Sequence, residues 1–257
     1  MSYALITGAS KGIGKAIAYN LATKKINLLL IARSGNLLNE IADDLTNKYE
    51  INVKYLCVDL AEENAAEIIF GWIIENNIQI NILINNAGYG LSGNFGKYTA
   101  QAHAEMMNVN MISLVKLTSL FLPMMKQQER SYILNIASTA AYQAVPYLST
   151  YAASKSFVVS FSRGLQYELR KTNVSVTCIS PGGTATDFAL RADIGEKAIK
   201  AGGKLNMTPS DVAAIAINSM FNKKREVITG LINKLGAFMV WLTPKRISEK
   251  FAASLYK

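Results

Sequence analysis

The sequence predicts a single-domain α/β fold, a doubly wound parallel sheet of about seven strands with helices on both faces. Three observations predict it. Short β-rich runs alternate with longer helical stretches, at the spacing of repeated strand–helix–strand units. Several of the short runs, such as Leu28–Ile31 and Ile82–Ile84, are apolar almost throughout, which suits strands covered by helices on each side. No repeat, low-complexity tract or long Pro/Gly/Ser linker divides the 257 residues.

The elements follow in order. The strand Tyr3–Thr7 runs directly into a glycine-rich turn that opens a helix at about 11–24. Asn27–Ala32 is the second strand, with its four-residue apolar centre, and a helix at about 34–49 follows. Val53–Val58 and Ile80–Asn85 are strands three and four, around a helix at about 61–77. A long helix at about 100–127 leads to strand Tyr132–Ala137, and another at about 150–172 leads to Val174–Ile179. A helix at about 209–222 precedes the last short strand, Glu226–Thr229. Right-handed crossovers place all the strand C-termini on one edge, where ligands bind in such sheets. Two pieces depart from the alternation. Gly183–Thr208 is loop-like, with Gly195, Gly202 and Gly203, and the tail after Gly230 is basic and apolar. Residues 1–230 are thus expected to form the body, and 231–257 a helical extension of the same domain.

Composition narrows the chemistry. Half the residues are hydrophobic and 18% are charged, so the chain can build a core and is not disordered. A net charge of +9 favours anionic partners such as a phosphate-bearing cofactor, an acidic carrier or an anionic membrane, unless it is only a solvated surface. No nucleic-acid partner is expected. Cys57 and Cys178 lie in apolar strand-like runs and read as buried hydrophobes, without a disulfide framework. With a single histidine, His103, and no Cys/His cluster, neither a zinc site nor a Ser-His-Asp triad is expected, and His103 reads as an exposed residue without a role. No metal is expected. No run reaches the ~18 uninterrupted apolar residues of a membrane span. The first strand begins at Tyr3, so no signal peptide and a cytoplasmic location are expected.

The turn after the first strand reads Thr7-Gly8-Ala9-Ser10-Lys11-Gly12-Ile13-Gly14. Glycines there allow a tight turn, let backbone N–H groups approach a pyrophosphate, and bring helix close to strand. The helix N-terminus adds its positive end. This is the logic of a Rossmann-type nucleotide cradle, with G-x-x-x-G-x-G spacing. The second strand ends at Ala32-Arg33, where NAD-binding folds carry an acid for the ribose hydroxyls. Arg33, helped by Lys11, can pair with a 2′-phosphate instead, so the expected cofactor is NADP(H).

With Asp59-Leu60, Asn85-Asn86-Ala87-Gly88, Asn110, Ser138, Tyr151-x-x-x-Lys155 and Pro181-Gly182 following in that order, residues 3 to about 230 resemble the short-chain dehydrogenase/reductase family. The tail is loosely similar to its ketoacyl-reductase and hydroxysteroid-type branch. The residues support the match independently. Tyr151 and Lys155 are i and i+4 on one helix face. A nearby ammonium lowers a phenol's pKa, which lets Tyr151 serve as general acid or base at a carbonyl oxygen. Ser138 can hold the same oxygen. The resemblance implies that Asn110 continues the proton path from the lysine, which also holds the nicotinamide ribose. It further implies that Asp59 and Leu60 contact the adenine, that Asn86, Ala87 and Gly88 form the next turn over the cofactor, and that Thr184 and Thr186, after Pro181-Gly182, cover the nicotinamide.

Family logic lines the substrate site with Tyr89, Tyr142, Val145, Tyr147, Phe188 and Leu190. That lining suits a lipophilic ketone or 3-oxoacyl thioester. A small aldehyde or ketone, or a hydroxy amino acid held by Arg191, stays open. So do a non-catalytic NADP(H)-binding sensor and a membrane-docked interaction protein on the same fold. The resemblance implies a homodimer or homotetramer through the two long helices, whose outer faces offer Met106, Met107, Val158 and Phe161. From 223 to 257 eight Lys or Arg stand against two Glu. The tail therefore either packs on the domain or a second subunit, or touches anionic lipid or an acidic carrier.

Overall fold

A computed structural model describes residues 2–195, 203 and 206–256. Seven strands, β1 (Ser2–Thr7), β2 (Asn27–Ala32), β3 (Val53–Cys57), β4 (Gln79–Asn85), β5 (Ser131–Ile136), β6 (Val174–Ser180) and β7 (Glu226–Ile228), form one sheet in the order β3-β2-β1-β4-β5-β6-β7. Every pairing is parallel. The order reverses between β1 and β4, and ligands bind at such a switch point in open α/β sheets.

The helices are α1 (Gly12–Ala22), α2 (Gly35–Tyr49), α3 (Ala65–Glu75), α4 (Ala100–Met107), α5 (Ser113–Lys126), α6 (Ser149–Leu169), the short α7 (Phe188–Arg191), α8 (Pro209–Phe221), α9 (Leu231–Leu242) and α10 (Lys245–Tyr256). Alternate strand residues serve opposite faces, as a period of two requires. Ala4, Ile6, Leu28, Leu30, Ile82 and Ile84 pack with residues of α1, α2 and α8. Leu5, Leu29, Ile31, Leu83 and Ile133 pack on the other side with Ile69 of α3 and with Leu117, Phe121 and Met125 of α5. This is why the central strands read as unbroken apolar runs. Thr208 caps α8, its hydroxyl accepting from Asp211 N at 3.1 Å with Pro209 in the first turn.

Several expectations need correction. The helix expected at about 100–127 is interrupted by a π turn at Asn108–Ile112. Cys57 is exposed, because β3 is an edge strand with one flank uncovered. Its thiol donates to the Arg33 carbonyl at 2.8 Å. Cys178, on the interior strand β6, is buried as expected. His103 is buried, not exposed. Its Nε2 donates to Phe95 O and its Nδ1 accepts from Thr150 Oγ1, both at 3.2 Å, so it ties α4 to a loop and to the start of α6. Met106 and Val158, expected on outer faces, are fully buried within the chain. Of the loop expected over 183–208, residues 196–202, 204 and 205 lie outside the described residues, Gly202 among them, as does Lys257 in the tail.

Candidate active site

The glycine turn after β1 adopts the conformation its sequence requires. Gly8 and Gly12 have φ of 65° and 54°, a region that side chains other than glycine's rarely occupy. A Cβ on Gly14 would collide with Gly8 O and the Asn86 amide. Asn86 belongs to the turn after β4 and locks the two turns together, its Nδ2 donating to Thr7 O at 2.9 Å. Thr7 Oγ1 in turn accepts from Asn86 N and Ala87 N at 3.0 and 3.1 Å. Ser10 sits in the turn and Ile13 in the first turn of α1, packed against the core. A Cβ on Gly88 would lie 3.1 Å from Asn110 Oδ1 and 3.2 Å from Lys155 Nζ, so the glycine leaves room beside both groups. The bare, φ-positive turn at a helix N-terminus fits a dinucleotide's pyrophosphate.

Arg33 Nη1 lies 3.4 Å from Asp59 Oδ2, which fixes the guanidinium at the end of β2. Leu60 is buried, its carbonyl accepting from Ser113 Oγ at 2.8 Å. Lys11 has a partner within the chain. Its ammonium pairs with Asp187 at 2.9 Å, bridging the glycine turn to the segment after β6. A second guanidinium acts on Arg33 electrostatically, that of Arg191, which stacks on Tyr89 at 4.4 Å. Burial, then the charge of Arg33, holds the Arg191 pKa below its ordinary value.

Pro181 O accepts from Thr139 N at 2.8 Å, which holds the end of β6 against the Ser138 turn. Gly182 is filled from outside by the Asn233 side chain of α9. Thr184 bridges to Met207, and the Thr186 methyl would stand 3.1 Å from a Cβ on Gly12. The segment 184–186 therefore lies directly over the cradle.

Tyr151 and Lys155 lie one turn apart on the buried face of α6, with the ammonium 5.8 Å from the phenol ring centroid. Lys155 Nζ donates to Ile136 O at 2.9 Å. Ser138 follows β5, its Oγ accepting from Ala140 N at 3.1 Å. Asn110 lies in the π turn, a distortion frequent at functional sites. Its amide spans Tyr89, Nδ2 donating to Tyr89 O at 2.9 Å and Oδ1 accepting from Tyr89 N at 3.1 Å, and also donates to Ser154 Oγ at 3.0 Å. The four residues do converge, but the electrostatics differ from expectation. Burial pushes the Tyr151 pKa up to about 12, opposed by the Ser138 hydroxyl and aided by Tyr256. Burial brings Lys155 down to about 8. Phe188 covers the phenol at 5.1 Å and Val145, Leu148, Met106, Ala252 and Tyr256 complete an apolar cluster around it, while the ammonium turns to a carbonyl.

Two expected lining residues lie elsewhere. Tyr142 donates to Glu226 Oε1 at 2.7 Å, within a network that includes Arg163, and Leu190 projects into solvent. Asn233, Tyr256 and Ala252 carried no sequence signal, because no spacing rule ties a C-terminal helix to a strand end.

Residues 2–197 match the family described as short chain dehydrogenase. A very-long-chain 3-oxoacyl-CoA reductase from Anas platyrhynchos is 35% identical over 196 residues, which cover 73% of this chain and 61% of that protein. The match thus spans about three fifths of the relative's length. An uncharacterised oxidoreductase from Staphylococcus saprophyticus is 32% identical over 84% of this chain and 90% of its own. Among solved structures, a short-chain dehydrogenase from Sphingobium yanoikuyae in complex with NADPH has a TM-score of 0.82 at 28% identity, covering 94% of this chain and 95% of that one. A 7β-hydroxysteroid dehydrogenase aligns at TM-score 0.88 over 98% of this chain and 96% of its own, but at 23% identity it speaks to the fold alone. The chain belongs to the short-chain dehydrogenase family.

Proposed function

We propose that this protein reduces the ketone of a lipophilic substrate, a 3-oxoacyl thioester or a similar compound, with NADPH. The observation that carries the substrate class is the apolar cover over Tyr151, made by Phe188, Val145, Leu148, Ala252 and Tyr256. Its similarity to 3-oxoacyl-CoA reductases points the same way. The preference for NADPH rests on Arg33, with no acid at Ala32, and on Arg191, which the short helix α7 brings towards the same end of the cleft. Two guanidinium groups there suit a 2′-phosphate, and charge-assisted contacts are stronger than neutral ones.

A dinucleotide held at the glycine turn after β1 would supply the hydride when bound. Tyr151, a phenol protonated at neutral pH and held more firmly so by burial, donates its proton to the carbonyl oxygen, and Ser138 donates a hydrogen bond to the same oxygen. Lys155, buried one turn away, favours the phenolate left behind and carries the proton that restores it. Asn110 holds the Tyr89 backbone beside that path. The apolar cover excludes water from the reacting carbonyl.

A hydroxy amino acid would need a cation for its carboxylate. Arg191, the candidate for that task, lies on Tyr89 on the Arg33 side, which disfavours this alternative. The test is a series of 3-oxoacyl thioesters of increasing length, assayed with NADPH and with NADH. A buried methylene contributes about 0.8 kcal/mol, so kcat/KM should rise roughly fourfold per carbon until the site is full. A best rate with the shortest ketone, or with a polar hydroxy acid in reverse, would replace this reading.

A further inference from the structure

The two C-terminal helices leave most of their apolar surface uncovered. In α9, Leu231, Ile232, Leu235, Phe238, Met239, Trp241 and Leu242 are all more than half exposed, Trp241 at 77%. At 100° per residue these seven fall on one half of the helix cylinder. The opposite side carries Asn233, which donates to Thr229 O at 2.8 Å and fills the space over Gly182, and α9 has no buried residue of its own. On α10, after a two-residue connection, Ile247 and Phe251 are exposed as well. An apolar face of this extent is a binding surface rather than ordinary decoration.

Charge decides what covers it. Lys234, Lys245, Arg246 and Lys250 lie on or beside these helices, against Glu249. Arg246 and Lys250 line an open groove with Pro146, Glu249 and Ala253, of about 260 Å³. A second copy docked by a two-fold axis presents the same patch to itself. Such a contact would bring lysines to lysines with one glutamate per copy to offset them. A surface that is apolar within and anionic at its rim complements both features. Trp241 is also the residue type that favours such an interface, apolar in body and polar at the indole N–H.

We propose that α9 and α10 form a docking face for an anionic lipid bilayer, with the exposed stripe of α9 in the acyl boundary and the basic residues against lipid phosphates. The face is continuous with the active site. The residues of α10 that pack inward, Ala252 and Tyr256, belong to the apolar cluster around Tyr151, and α9 seats Asn233 on the strand-end turn at Gly182. Docking would therefore set the substrate cover at the membrane surface.

The full chain, in a Trp72→Phe background so that Trp241 alone reports, is mixed with phosphatidylcholine vesicles with and without phosphatidylserine. Expected are co-sedimentation with the phosphatidylserine vesicles, a blue shift of Trp241 emission, and release by high salt. Each basic residue removed should weaken binding roughly fivefold at low salt. Phe238→Glu with Leu235→Glu should abolish binding while circular dichroism and NADPH affinity are retained. The proposal is overturned if the chain binds neither vesicle, binds both equally at all salt concentrations, or binds undiminished in the double variant. It is also overturned if light scattering shows a dimer that this variant dissociates, for then a second copy covers the face.

Discussion

The two sides of the cleft are built by different means. On the side of β1, β2 and β4, backbone geometry does the work: positive φ at Gly8 and Gly12, a contact at Gly14 that admits no Cβ, and turns joined through Thr7 and Asn86. On the side of α7 and α10, side chains from distant parts of the chain meet over Tyr151. A backbone requirement leaves a fixed residue type at a fixed spacing. An apolar packing requirement accepts many residues, provided volume and pattern are kept. The first kind of site can be read from one sequence, and the second only when the chain is folded.

The comparison breaks first at Tyr151, where the two sides meet. Tyr151→Phe removes the hydroxyl and keeps the ring packed against Phe188. Turnover should fall roughly 10²–10⁴-fold, the range for a lost general acid. NADPH binding, which depends on the backbone side, should change little when measured by fluorescence titration. A variant with near-normal turnover would transfer the proton-donor role to another group.

The cofactor side is sharpened by Arg33→Asp. Arg33 is half exposed and held by Asp59, so its replacement alters charge without disturbing the core. A hydrogen bond to a charged group contributes about 1.5–3 kcal/mol. The ratio of kcat/KM for NADPH over NADH should therefore drop roughly 10- to 100-fold, and more if the new carboxylate repels the 2′-phosphate. An unchanged ratio would move cofactor selection to Arg191.

These expectations show where the sequence was legible. The seven strands, their helices and the convergence of Ser138, Tyr151, Lys155 and Asn110 all follow patterns of period two, period 3.6 or fixed motif spacing. Cys57 and His103 differ from what the sequence predicts for a shared reason. Burial depends on which strand is at the edge and which loop covers a helix, and neither is encoded in local composition. β3 looked like an interior strand but has one open flank, while Phe95 folds back on His103, with rings 4.6 Å apart. Lys11 stands in the glycine turn, and local spacing says nothing of its partner within the chain. Its pairing with Asp187, 176 residues later, depends on a lid that spacing could not locate.

The last expected effect is one on stability rather than turnover; it concerns Lys155 and separates its electrostatic role from its packing. Burial lowers its pKa from 10.5 to about 8, so the folded chain releases this proton more readily than the unfolded chain does. Between those two values the unfolded state binds more protons, and stability from this group rises with pH. Below pH 8 the full penalty of burying the cation is present; above 10.5 it has vanished. Lys155→Met removes the penalty but leaves the Ile136 carbonyl without its donor, a cost of about 1–3 kcal/mol. At pH 7 the two effects nearly offset, and the variant should be within a few kcal/mol of the wild type. The difference in unfolding free energy should then shift in favour of the wild type as pH rises from 8 towards 10.5, by up to about 3 kcal/mol at 1.36 kcal/mol per pKa unit. Urea unfolding at several pH values in that window provides the measurement. A pH-independent difference would mean that Lys155 keeps an ordinary pKa in the folded chain, and that the ammonium beside Tyr151 is better solvated than its burial implies.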